Sequence, residues 1–208
     1  MICFCFKDSH PYFRKGGFFI IDMITLERAK TDKQIQQILD LQKLNLKKNL
    51  SQEEIETQGF VTAEHTFDQL KHINDFENAI IAVENDKVVG YAIAMVKEAG
   101  AGMPIFDGLF ETVDSLFYKE KPIPSYAYIF VGQLCVAKEY RGIGLVSKLY
   151  DFFKEELKGR YDFSITDINE NNPRSLKAHS KSGYEAIHTF YDKYTSSNWV
   201  IVLQDFKK

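Results

Sequence analysis

The segment "EYRGIGLVSKLY" (139–150) joins a long apolar run to an amphipathic pattern through two glycines set behind an arginine. The first amides of a helix lack internal partners and point outward, and the helix dipole makes that end favourable for an anion. Gly142 and Gly144 carry no Cβ to keep a phosphate from those amides, and Arg141 adds a cation that can pair with phosphate oxygens. Phosphate binding is the chemistry this spacing suits, although a glycine turn that only redirects the chain would look the same locally. A Walker loop is excluded, because G-x-x-x-x-G-K-[ST] is absent. So is a Rossmann fingerprint, because Ser147 stands where the third glycine belongs and the segment comes late in the chain.

Other reactive residue types give weaker signals. Cys135 sits mid-strand in apolar company with no adjacent histidine, which suits a buried structural thiol better than a nucleophile. Cys3, Cys5 and Cys135 form neither a disulfide framework nor a C-x-x-C zinc pair. His65 and His72 could share a helix face, but no thiol or acidic cluster completes a ligand set, so they read as surface histidines and no metal is expected.

These groups must be held by a chain of 208 residues with net charge −3, its lysines and acids interspersed. That balance argues against a nucleic-acid binder and makes polyanionic substrates unattractive. No apolar run is long enough to span a bilayer, and the opening residues lack the basic start and continuous apolar core of a signal peptide, so the expected location is cytoplasmic and away from membranes. Residues 1–22 fit no helix or strand template and are expected to be a disordered or non-native N-terminal extension. Met23 begins the regular pattern of one α/β domain over 23–208.

The pattern predicts a strand over 23–29, a helix from Thr31 to Asn49, a shorter one opened by a Ser51/Glu54 capping box, and another over Thr66 to Asn74. "AIIAVENDKVVGYAIAMV" (79–96) reads as a hairpin turning at "END". An insert at 97–125 follows, with one short helix in "FDGLFETVDSLF". A long buried strand (126–138) leads into the glycine turn and a helix whose apolar positions are Leu145, Leu149, Phe152, Phe153 and Leu157. A strand (161–168), a helix opened by Pro173 and closed by Gly183, and two final strands complete the chain.

The spacing R-G-x-G at a strand-to-helix junction resembles the GNAT superfamily of N-acetyltransferases, whose pyrophosphate loop reads [QR]-x-x-G-x-[GA]. Here Arg141 and Gly144 match, and Val146 stands where the family usually has Gly or Ala. "NPRSLKAHSKSGYEAI" (172–187) resembles the family's N-x-x-[AS]-x-x-x-[YH]-x-x-x-G-[FY] signature through Asn172, Ser175, His179, Gly183 and Tyr184. Asn172 follows Arg141 by 31 residues, room for the helix and strand that the family places between the motifs. The resemblance covers about residues 23–204, with the insert outside the common core.

This resemblance implies an α/β (α+β) acyl-CoA N-acyltransferase fold: a central mixed, mostly antiparallel sheet, two splayed parallel strands, and flanking helices. It implies acetyl-CoA as cosubstrate, no metal, and transfer of acetyl to a primary amine of a small molecule or peptide by direct attack in a ternary complex. The alternative is a non-catalytic acyl-CoA-binding sensor module. A homodimer is compatible with either. Leu134, Cys135 and Val136 would offer backbone groups to the pantetheine arm, and Leu134 N–H would serve the developing oxyanion. Arg141, Gly142, Ile143, Gly144, Leu145, Val146 and Ser147 would hold the pyrophosphate, with Asn172 and Ser175 on the other wall. His179, where the family often has Tyr, would either donate a proton to the leaving thiolate or pack against the cofactor.

The base is open among Glu84, Tyr128, Gln133 and Asp167, because a one-residue slip in strand register reverses every side chain. Acceptor choice is expected to lie in "TQGFVT" (57–62) and the insert. There, Phe60, Phe106, Phe110, Phe117 and Tyr118 could form an apolar wall and Asp107, Glu111 and Asp114 could attract an ammonium group. An added helix with its own small core is the other reading of the insert.

Overall fold

The computed structural model describes residues 23–208, so the reading of residues 1–22 falls outside the described residues. Seven strands form one sheet in the spatial order β1 (Thr25–Arg28), β2 (Ile80–Glu84), β3 (Lys87–Met95), β6 (Tyr128–Val136), β7 (Phe163–Asn169), β9 (Ser197–Asp205) and β8 (Glu185–Asp192). Only β6 and β7 run parallel; every other neighbouring pair is antiparallel. The β2–β3 hairpin turns at Asn85 and Asp86, both with positive φ, the two-residue geometry that Asn and Asp tolerate best after glycine. Position β3 is central, and all but its first residue are buried, as a strand covered on both faces requires.

Helices cover both faces. On one lie α1 (Asp32–Asn45), α3 (Phe67–Phe76) and α5 (Pro104–Ser115), whose Ile35, Ile38, Leu70, Ile73, Phe106 and Val113 join Tyr91, Ile93, Phe130 and Ile165 in one core. On the other, α6 (Leu145–Leu157) buries Leu149, Tyr150, Phe153 and Leu157 against Ala92, Ala94, Ile129 and Val202, beside α7 (Pro173–Lys181). The apolar positions of α6 recur at helical spacing, and each large side chain buried this way contributes about 1.5–3 kcal/mol. Among the described residues, no helix is long and apolar enough to cross a membrane.

Local signals explain most element ends. Thr31 with Gln34, Ser51 with Glu54 and Thr66 with Gln69 form capping boxes at the starts of α1, α2 (Gln52–Gln58) and α3. Helix α1 stops at Asn45, short of the expected Asn49. The reason is Leu46, whose extended backbone lets its buried side chain reach the core while it bridges to Val61. The insert holds more order than one short helix: a single turn, α4 (Lys97–Gly100), the twelve-residue α5, and a small ribbon of β4 (Phe117–Tyr118) and β5 (Lys121–Pro122).

Candidate active site

Strands β6 and β7 share only three paired positions, Tyr128 with Phe163, Ile129 with Ser164 and Phe130 with Ile165. The Thr166 hydroxyl closes the shared stretch by donating to the Val131 carbonyl at 2.8 Å. Just beyond, the β3–β6 register shifts at Gly132, and a bulge of this kind bends its strand. From there β6 follows β3 alone, and a wedge opens in the middle of the sheet. Ala137 N–H donates to Val89 on β3 at 2.9 Å, so alternation turns the main-chain groups of Val136 and Leu134 to the open edge and those of Cys135 to β3.

The turn from β6 into α6 ends this wedge. Gly142 and Gly144 have φ of 80° and 82°, a conformation that favours glycine, and a Cβ on either would meet nothing within 4 Å. Gly144 caps α6 without any side-chain hydrogen bond, whereas Asn172 caps α7 by accepting from Ser175 N–H. The first-turn amides of α6 therefore face a cleft of about 410 Å³. Arg141 does not reach into it freely. Its guanidinium donates to the Val136 carbonyl at 3.1 Å and to Asn45 Oδ1 at 2.5 Å, tying the turn to β6 and α1. Burial lowers its pKa from the ordinary value.

Leu134, Cys135, Val136, Gly142, Leu145, Val146 and Ser147 all line this outer cleft, as do Asn172 and Ser175 across it. Ile143 instead packs toward the core beneath α6. The Asn172 amide donates to the Phe60 carbonyl at 3.0 Å, which clamps the 57–62 loop to α7. Sequence reasoning missed Asn45, Arg174, Lys177 and Lys181 on the cleft's walls, since nothing in their local pattern marks them.

The outer cleft meets a smaller inner pocket of about 80 Å³ at Phe60, Val61, Leu134, Asn172 and Ser175. Asp167, His179, Gln133 and Trp199 line the inner pocket, and Ile105 and Phe106 of the insert roof it. Burial pushes the Asp167 carboxyl up to about 7, and nearby Asp192 adds to the rise. His179 is a buried imidazole whose Nδ1–H donates to the Ser175 carbonyl at 2.8 Å while Nε2 accepts from the Tyr150 hydroxyl at 2.5 Å. Burial pushes its pKa down to about 4, so the ring is neutral near pH 7.

The four candidate bases separate clearly. Glu84 lies on β2, two strands from β6, and accepts from the Tyr140 hydroxyl. Tyr128 stacks on Phe163, and burial pushes it up to about 12. Gln133 is fully engaged: it donates to the Ala63 carbonyl and accepts from Tyr91 and Gln42. Asp167 alone among the four is an ionisable carboxyl lining the inner pocket. Burial pushes the Cys135 thiol up to about 12, as an inert core thiol requires. His65 is not a surface residue: it is buried and bonded to Gln42.

A sequence model of the acetyltransferase (GNAT) family matches residues 44–184, well over half of the chain and including the whole glycine turn and Asn172 to Tyr184. The chain belongs to the GNAT family. Its sheet with one splayed parallel pair is the GNAT acyltransferase fold. Solved structures agree in shape at low identity. An Ard1 protein from Thermoplasma volcanium is 13% identical with a TM-score of 0.60, covering 88% of this chain and 97% of that one. A NatC complex bound to Gag peptide and CoA contains a chain 13% identical with a TM-score of 0.59, covering 88% and 98%. The ribosomal-protein-S18-alanine N-acetyltransferase from Escherichia coli is 10% identical with a TM-score of 0.58, covering 88% and 94%. No curated protein sequence matches this GNAT chain.

Proposed function

We propose that this protein transfers the acetyl group of acetyl-CoA to a primary amine of a small molecule or peptide, by direct attack of the amine with both substrates bound together. One observation carries the reading: a cleft walled by an open strand edge and ended by an uncapped helix N-terminus joins, at Leu134, a pocket holding a carboxyl group. The residues fit the coenzyme. The cleft's volume lies within the roughly 300–1,000 Å³ usual for small-molecule sites. The space beside Gly142 and Gly144 is what a Cβ would fill.

Leu134 and Val136 would offer main-chain groups to the pantetheine arm, with Cys135 holding the strand between them. The amides from Gly142 to Ser147 would hold the diphosphate, and Arg141 would brace that turn from behind. Asn172 and Ser175 would form the opposite wall. When bound, acetyl-CoA supplies an activated thioester. Leu134 N–H would stabilise charge developing on its carbonyl oxygen. His179 is held neutral by burial, with its one N–H given to the Ser175 carbonyl and its Nε2 accepting from Tyr150, so it would pack beside the thioester and not donate to the departing sulfur.

Gly144→Glu places a bulky anion in the phosphate-facing space. Calorimetry should find CoA binding weakened at least about 100-fold with the circular dichroism spectrum unchanged; unaltered affinity refutes the site. A screen of amines with acetyl-CoA, following free thiol, should find turnover. CoA binding without turnover on any amine or peptide would instead favour the sensor module.

A further inference from the structure

The inner pocket pairs one carboxyl group with walls that are otherwise uncharged. Phe60, Ile105, Phe106 and Trp199 supply apolar surface, Gln133 is committed to other partners, and His179 is neutral. Asp167 is thus the one lining residue able to carry charge near neutral pH, and among the described residues no salt bridge engages it. The groups that share its pocket are His179 on α7, Gln133 on β6, Trp199 on β9 and apolar Ile105 and Phe106 on α5, and Asp192 on β8 is near enough to act on it electrostatically. Asp192 is itself bound by the Thr195 N–H and hydroxyl, so it caps its own turn. A half-buried carboxylate that lines an otherwise uncharged pocket without a cation is costly, which leaves this pocket suited to a cation that arrives with a ligand.

We infer that this pocket seats the acceptor, that Asp167 binds its ammonium group and takes a proton from it, and that the acceptors are primary amines on a slim apolar stem. The inference rests on the acetyl-transfer reading above. Size sets the stem. A cavity of about 150 Å³ holds benzene, and this pocket offers about 80 Å³, so a ring or a branched carbon beside the nitrogen does not enter. The rest of the acceptor, whether a small molecule or a peptide, stays outside.

The proton ledger closes. The ammonium gives one proton to the Asp167 carboxylate and becomes a neutral amine. The amine's lone pair forms the new C–N bond, the C–S bond breaks with its electron pair on sulfur, and the second amine proton ends on the thiol. Asp167 then returns its proton to solvent. An ordinary carboxylate near 3.9 is about six units too weak a base for an alkylammonium near 10.4. Desolvation to about 7 closes roughly half of that gap.

The test compares propylamine, tert-butylamine, benzylamine and a tripeptide with an amino-terminal glycine, each with acetyl-CoA. Propylamine, the tripeptide or both should be used at least about tenfold more efficiently than tert-butylamine or benzylamine, and which of the two is favoured identifies the source of the amine. Asp167→Asn should lower kcat/KM about 100-fold or more and abolish its rise through about pH 7, with CoA affinity within twofold of wild type. Ile105→Ala, which enlarges the pocket without touching the carboxyl, should shift preference toward benzylamine. Equal use of tert-butylamine, an unchanged rate and pH profile in Asp167→Asn, or no shift in Ile105→Ala overturns the inference alone. Wild-type protein that binds CoA yet acetylates none of the four defeats the acetyl-transfer reading as well.

Discussion

Asp167 shows how a single side chain can work against the fold that holds it. Its folded pKa of about 7 lies above the ordinary carboxyl value, so the folded state favours the protonated form. Its favourable contribution is complete below about pH 4 and is lost as pH rises toward 7. Asp167→Asn should therefore be more stable than wild type at pH 8, by about 1–3 kcal/mol once water at the pocket mouth is allowed for, and nearly equal at pH 4. Urea titrations at the two pH values check this; a difference that is the same at both is incompatible with the raised pKa. His179 works in the opposite sense. Its depressed pKa stabilises the protein above about 6.5, and that contribution is lost as pH falls toward 4. At this scale the glycines and Arg141 were legible because backbone freedom and charge are written in residue type. Asp167 was one of four choices, because its direction depends on the register of β7 against β9, which spacing does not encode. Trp199 reaches the pocket from the last full strand, and nothing beside it in sequence marks it.

The wedge between β6 and β7 belongs to the elements. The last shared position is held by a side chain: Thr166 on β7 reaches across to the Val131 carbonyl on β6. Thr166→Val keeps the shape and removes the donor. It should cost about 1–3 kcal/mol in chemical denaturation, because a buried carbonyl then has no partner there. A loss below about 0.5 kcal/mol would mean that the strand pair holds without it. Strands β2, β3, β6, β7 and β9 were readable from apolar runs, and α1, α2, α3 and α7 from their caps. The early end of α1 was not, since Leu46 leaves the helix to satisfy the core and Val61, a tertiary demand.

Across the whole molecule, the insert turns out to be shared between core and site. Phe110 and Val113 are buried in the main core, Phe117 is exposed, and Tyr118 donates to Asp205 at the far end of β9. Asp114 pairs with Lys97 within the insert. Of the aromatic wall expected from sequence, Phe60 and Phe106 reach the inner pocket. Composition could flag an aromatic-rich insert but could not say which rings face inward. The open sheet has a further consequence for solvent. A central strand of a seven-stranded sheet ordinarily shields all its amides from deuterium, yet here protection should alternate along one strand. In the free protein, Cys135 should retain its proton far longer than Leu134 and Val136 on either side, a sawtooth in exchange rate that saturating CoA should level out.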